Sequence, residues 1–219
     1  MPGPIVFINP NGLSEVTRHI QRTVSSLRTD ADHDVTFETL AATPGGITTQ
    51  RDADRAAVAV ANFVADNERT ASAFVICCYS DPGLHAARET TRKPVIGIGA
   101  AGLAIALARG VRPGVIAASS SGMPRHWRAY NAARLAGAVA GERAVDMDVG
   151  ESGSAAALQE LVKTGNALRD IDGADVIVLG CAGMTPLRAD LEAALGLPVI
   201  DPCSSAAILA FGCCRERHL

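Results

Sequence analysis

The chain has 219 residues, 48% hydrophobic but only 4% aromatic, with a formal net charge of −3. This length suits one large domain or two small lobes, and a core of Ala, Val, Ile and Leu suits buried parallel sheet under helices. No Lys/Arg cluster points to nucleic acid, no apolar run reaches membrane-span length, and no basic-then-apolar leader opens the chain.

In chain order, Ile5 to Ile8 reads as a short buried strand closed by Asn9-Pro10-Asn11-Gly12. Open α/β sheets hold ligands at such strand ends, so Asn9 and Asn11 are candidate substrate contacts, with plain turn formation the alternative. Ser14 is placed to cap a helix through Val16, Ile20 and Leu27. Val35 to Leu40 alternates as a second strand. Thr43-Pro44-Gly45-Gly46 forms the loop behind it, and Gly46 is a candidate contact. A helix covers Asp54 to Asn67. Phe74-Val75-Ile76 then runs as a buried strand into Cys77 and Cys78. Asp81-Pro82 reads as an N-cap followed by proline at the first helical position, with the helix reaching about Thr91. Cys78 would face the positive end of that helix, which favours the thiolate. Cys77 would point to the other side of the sheet.

Lys93 to Gly97 is a fourth strand, joined by a loop to an Ala-rich helix from Leu103 to Arg109. Gly114 to Ala118 is a strand ending in Ser119-Ser120-Ser121-Gly122. A helix from Pro124 to Val139, a strand from Ala144 to Val149 and a helix from Glu151 to Asp170 follow. Asp175 to Cys181 is a second cysteine-ended strand, and Thr185-Pro186 starts a helix that Gly196 stops. Pro198 to Asp201 is the last strand and Ser204 to Phe211 the last helix. Arg215 to Leu219 reads as a frayed tail.

Three landmarks recur in the same order. Cys78 and Cys181 lie 103 residues apart, and the Pro-Val-Ile triplets at 94 and 198 lie 104 apart. The strands Ile5 to Ile8 and Val115 to Ala118 are about 110 apart. Strands alternating with helices argue for parallel sheets. The repeat therefore predicts an α/β chain of two similar lobes, each a parallel sheet flanked by helices. A pseudo-twofold axis would relate them, with the active site between. The whole chain, 1–219, reads as one domain. One lobe takes about 1–97 plus the C-terminal helix 204–219, and the other takes 98–203.

That arrangement brings Cys78 and Cys181 to opposite sides of one small ligand. A thiolate can remove a proton from one face of a stereocentre while a thiol returns one to the other. Backbone N–H groups at the two helix starts would stabilise the enolate oxygen. Glycine at Gly83 and Gly183 would let backbone approach the ligand. Tyr79, Ser80, Ala182 and Gly183 follow the cysteines and are candidate contacts. Ser119 and Ser120 occupy the repeat-equivalent of Asn9 to Asn11 and are also candidates; helix capping before Pro124 is their alternative.

At these residues the sequence resembles the aspartate/glutamate/hydantoin racemase superfamily, and most of all its hydantoin and allantoin racemase branch. Ile8-Asn9-Pro10-Asn11, Cys78-Tyr79-Ser80-Asp81-Pro82-Gly83-Leu84, Pro94-Val95-Ile96-Gly97-Ile98 and Leu179-Gly180-Cys181-Ala182-Gly183-Met184 carry the likeness. It implies two α/β lobes, no metal and no organic cofactor, with Cys78 and Cys181 in the acid/base roles. Gly12-Leu13 and Ala100 depart from the branch, which often has Thr-Ser and a glutamate there. No Arg or Lys lies in either cysteine motif, so a neutral ring fits better than a free amino acid. The expected function is racemisation of a 5-substituted hydantoin or allantoin. An amino-acid racemase and a cysteine-dependent isomerase or decarboxylase of a small dicarboxylate are the alternatives on this fold. A non-catalytic ligand-binding protein is the alternative of another class. The partner is a small molecule, with no nucleic acid and no membrane, and a homo-oligomer is compatible with the sequence. Six cysteines without a secretion signal suit a reducing cytoplasm. Cys203, Cys213 and Cys214 read as structural or incidental, with His218 a weak metal partner for them.

Overall fold

The computed structural model describes residues 3–29, 33–41 and 45–216. Two four-stranded parallel sheets form its two lobes. The first holds β1 (Ile5–Asn9), β2 (Val35–Thr39), β3 (Ala73–Ile76) and β4 (Val95–Gly97), in the order β2-β1-β3-β4. The second holds β5 (Pro113–Ala117), β6 (Gly141–Ala144), β7 (Val176–Gly180) and β8 (Val199–Ile200), in the order β6-β5-β7-β8. The same order in both sheets is the structural form of the sequence repeat. Register fixes the two cysteine strands at equivalent places: Ile5 lies beside Ala73 of β3, and Pro113 beside Val176 of β7. The central strands β1, β3, β5 and β7 are buried along their whole length, as parallel strands covered on both faces must be.

Eight helices cover the sheets among the described residues: α1 (Ser14–Leu27), α2 (Gln50–Asn67), α3 (Leu84–Thr90), α4 (Ile98–Leu107), α5 (Met123–Ala132), α6 (Ala157–Asp170), α7 (Arg188–Leu195) and α8 (Pro202–Glu216). No helix among them is long and apolar enough to cross a membrane. Small residues let α4 and α8 pack closely where the lobes meet. A Cβ on Gly102 would lie 3.2 Å from Pro202 and 3.3 Å from Val178. Ala206, Ala207, Ala210 and Phe211 of α8 join the core of the first lobe with Ile5, Phe7 and Val75. Leu103 and Ala106 of α4 join Val176 and Val178 of the second.

Several element ends differ from the sequence expectation, mostly because the stabilising partner is remote in sequence. Asp81 does not cap the helix that follows it. Its backbone sits in the left-handed region (φ 46°), and its carboxylate accepts from the N–H groups of Gly99 and Ala100 at 2.9 and 2.8 Å. That remote cap starts α4 at Ile98, straight off β4, rather than at Leu103. The helix after Cys78 starts only at Leu84, behind Gly83 at φ 77°. A Cβ on Gly83 would meet the Ala57 carbonyl at 2.6 Å, so this glycine serves packing on α2 and not a ligand. Ser14 lies inside α1 without a capping bond; Asn11 Oδ1 instead accepts from the Leu13 N–H. Thr49 and Asp52 form a capping box that starts α2 at Gln50 rather than Asp54.

In the second lobe, α5 stops at Ala132 rather than Val139. Arg134 takes the left-handed position (φ 59°) and Leu135 N–H returns to the Tyr130 carbonyl, a helix end usually marked by glycine. Strand β6 precedes the expected 144–149, and α6 begins at Ala157 because residues 148–156 form turns. Thr185 and Pro186 belong to a 3-10 helix (Ala182–Leu187) that leads into α7. The last helix spans Pro202 to Glu216, so Arg215 is helical rather than frayed. Thr43, Pro44 and His218 lie outside the described residues.

Candidate active site

Both sheets present their strand ends to one cleft, with about 560 Å³ of empty space counted out to its open mouth. Cys78 and Cys181 both line it, one from each lobe. Cys78 is half-buried and Cys181 is buried at 9% exposure. The Cys78 Sγ lies 3.4 Å from the Ser80 hydroxyl. The Cys181 Sγ accepts from the Gly183 N–H at 3.4 Å and lies 3.8 Å from the Ser152 hydroxyl. Each sulfur thus meets one hydroxyl and the N–H of the residue two further on.

Electrostatics reverse the sequence expectation of a lowered thiol pKa. Enclosure in the cleft pushes Cys78 up to about 11, against the hydrogen bonds of Ser80 that lower it. Cys181 is also raised by burial, against Gly183, Ser152 and Met184. The helix dipole offers Cys78 little, because α3 starts six residues beyond it and the effect fades within a turn. The two thiols are close enough for charge on Cys181 to raise Cys78 further.

The other candidate residues separate into those that reach the cleft and those that act behind it. Asn11, Tyr79, Ser80, Ser119 and Ala182 line it. Asn9 does not; its amide donates to the Leu13 carbonyl and Thr17 hydroxyl at 3.1 and 3.0 Å, anchoring α1 to the strand end. Ser120 is exposed, with its N–H on Asp146. Gly183 sits behind Cys181, where a Cβ would meet the Ser152 hydroxyl at 2.3 Å. Gly46 lets its loop close on the second lobe, since a Cβ there would lie 2.5 Å from Val149. Cys77 is buried in the core of the first lobe with Cys203 and Cys214, while Cys213 is exposed.

Residues 5–210 match the family model described as Asp/Glu/Hydantoin racemase. The chain belongs to this family. It is 34% identical over 215 residues to a hydantoin racemase of Rhizobium meliloti, across 94% of this chain and 86% of that one. An allantoin racemase from Klebsiella pneumoniae superposes with a TM-score of 0.87 at 28% identity, over 95% of this chain and 86% of the other. The allantoin racemase of Pseudomonas fluorescens shares the fold, with a TM-score of 0.89 at 24% identity over 98% and 92% of the two chains.

This member of the racemase family also puts groups in the cleft that no local motif announced. Thr48, Arg125 and His126 line it. Arg125 Nη1 donates to the Thr48 and Ser121 carbonyls at 3.1 and 3.3 Å, and the Ser121 hydroxyl also donates to Thr48, at 2.9 Å. The loop of the first lobe is thereby tied to α5 of the second. His126 is buried, with Nδ1 2.5 Å from Glu142 Oε1 and its ring edge-on to Tyr79. The sequence signal for this group was positional: α5 follows the serine run at the end of β5, a ligand-side loop.

Proposed function

We propose that this protein is a cofactor-independent racemase of a 5-substituted hydantoin or of allantoin, using Cys78 and Cys181 as its two bases. One observation carries the reading: the two thiols line opposite lobes of a single cleft. One cysteine, as thiolate, takes the proton from the stereocentre, and the electron pair moves onto the adjacent carbonyl oxygen. The other, as thiol, returns a proton to the opposite face, so each cycle exchanges the protonation states of the pair. Two thiolates in one cleft repel, so the pair titrates as a coupled unit holding one proton in the working state. The reading includes a reducing cytoplasmic setting, in which both thiols persist. It also treats the chain as one domain of two lobes, with α8 completing the first.

A free amino acid fits less well. Arg125 could hold a carboxylate, but among the described residues no acidic side chain lines the cleft to meet an ammonium. The test is NMR of candidate hydantoins, allantoin, aspartate and glutamate in deuterated water, following loss of the α-proton signal. Cys78→Ser and Cys181→Ser should each abolish racemisation while leaving α-proton exchange on one enantiomer. Parental racemisation by either folded variant would exclude the two-base mechanism. A higher kcat/KM for either amino acid would exclude the ring substrate.

A further inference from the structure

We propose that Arg125 reads ligand charge in this cleft: its guanidinium takes a carboxylate carried on the 5-substituent of the ring. The proposal builds on the racemase reading and narrows its substrate class to hydantoins with an acidic side chain.

Arg125 lines the same cleft as both thiols. Its Nη1 is fixed by two backbone carbonyls, whereas its Nε is buried without a hydrogen-bond partner. No carboxylate pairs with it among the described residues. Arg143, by contrast, makes a two-bonded pair with Asp172. Asp52 and Asp54 act on Arg125 only through space; Asp52 accepts from Thr49, and Asp54 from Gln50. Among the described residues, neither they nor any other acidic side chain lines the cleft.

A guanidinium does not shed its proton, so a partly buried one calls for a compensating anion. Burial opposes its charge here, and negative charge on Cys78 favours it. With Cys78 protonated, a neutral ureide ring offers only N–H and C=O groups and leaves that charge uncompensated. An α-amino acid brings an ammonium that the cleft does not match. A carboxylate on the ring substituent meets the fork geometry of the guanidinium and adds no unmatched cation.

The test compares hydantoin-5-acetate with hydantoin-5-acetamide, alike in shape and different in charge. The readout is kcat/KM for α-proton exchange in deuterated water, less the spontaneous rate. The parental protein should prefer the acetate by about tenfold to a hundredfold, the range for a hydrogen bond to a charged group. Arg125→Gln should bring the ratio close to one, and Arg125→Lys should keep part of the preference; circular dichroism checks that both fold. Equal or better turnover of the acetamide by the parental protein would overturn the proposal. So would an equal loss on both substrates in Arg125→Gln with a shifted pH profile, which would mean that Arg125 acts on the Cys78 thiol. If neither compound exchanged its α-proton, the racemase reading would fail. Calorimetric binding would still decide the Arg125 proposal: tighter acetate binding supports it, and equal or weaker acetate binding overturns it.

Discussion

Cys78 should hold its proton through the whole neutral range when no ligand is bound. Its pKa of about 11 lies two units above the ordinary 9.0, with enclosure in the cleft as the main cause. Only the thiolate reacts with iodoacetamide. A two-unit rise leaves about a hundredfold less thiolate at any pH well below both values. Raising the pH restores reactivity, because it removes the proton that enclosure keeps on the sulfur. Alkylation of Cys78 should therefore climb about tenfold per pH unit from about pH 7 to about pH 10 without levelling, whereas N-acetylcysteine levels near the ordinary thiol pKa. Steric shielding lowers the absolute rate but not this slope, which is why the slope is diagnostic.

The assay is brief labelling across that range, followed by peptide mapping, which separates Cys78 from the exposed Cys213. Ser80→Ala adds a second limb. The Ser80 hydroxyl is 3.4 Å from the sulfur, a long contact at the weak end of hydrogen bonds to charged groups, so its loss should raise the pKa by about one unit. At fixed pH the labelling rate would then fall about tenfold. A plateau at or below about pH 9, in the ordinary thiol range, would refute the reasoning, because the turn would then stabilise the thiolate by at least as much as enclosure costs it. An unchanged rate in Ser80→Ala would remove the hydroxyl from the account.

Gly97→Ala should lower stability by roughly 1–3 kcal/mol, because its Cβ would sit 2.2 Å from the Asp81 carboxyl carbon; an unchanged melting temperature would count against this packing. Asp81→Thr combined with Gly97→Asp moves the carboxylate to the strand end, where the second lobe carries Asp201, and should cost less than the two single changes added together, whereas additive losses would refute the exchange. Gly46→Ala should raise KM several-fold by pushing its loop off Val149, 2.5 Å from the new Cβ; steady-state kinetics on an active hydantoin would show it, and an unchanged KM would separate that loop from the cleft.

The two cysteine strands and the repeat were legible because their signals are local. Phe74-Val75-Ile76 and Val176-Ile177-Val178-Leu179 are continuous apolar runs of strand length, and both are buried as such. Membership of the racemase family could likewise be read from short motifs at those strand ends. Remote partners were not legible. Nothing near Ile98 announces a helix start, because the cap comes from Asp81, 17 residues earlier. Arg125 and His126 carry no local motif, and only the fold turns them to the cleft. The raised thiol pKa is hidden for a different reason: the sequence displays a helix start, but the cost of enclosing the charge exists only in the folded cleft.

The two lobes tie their cysteine turns to the helix after the next strand by opposite routes. In the second lobe the carboxylate belongs to the strand end: Asp201 follows β8, accepts from the N–H groups of Cys203 and Ser204 at the start of α8, and accepts from Thr185 in the cysteine turn. In the first lobe the carboxylate belongs to the cysteine turn itself, as Asp81, and reaches the start of α4. The strand end there is Gly97, whose missing side chain leaves the space that the Asp81 carboxylate fills. Duplication thus preserved a carboxylate at the helix start while exchanging the segment that carries it. One consequence falls on the chemistry. Cys78 has a carboxylate three residues along its own turn that raises its pKa through space, whereas Cys181 takes its supporting hydroxyl from Ser152 in a separate loop. The two bases are therefore inequivalent in the free protein, and under the two-base mechanism proton removal from the two enantiomers should begin from thiols of different basicity.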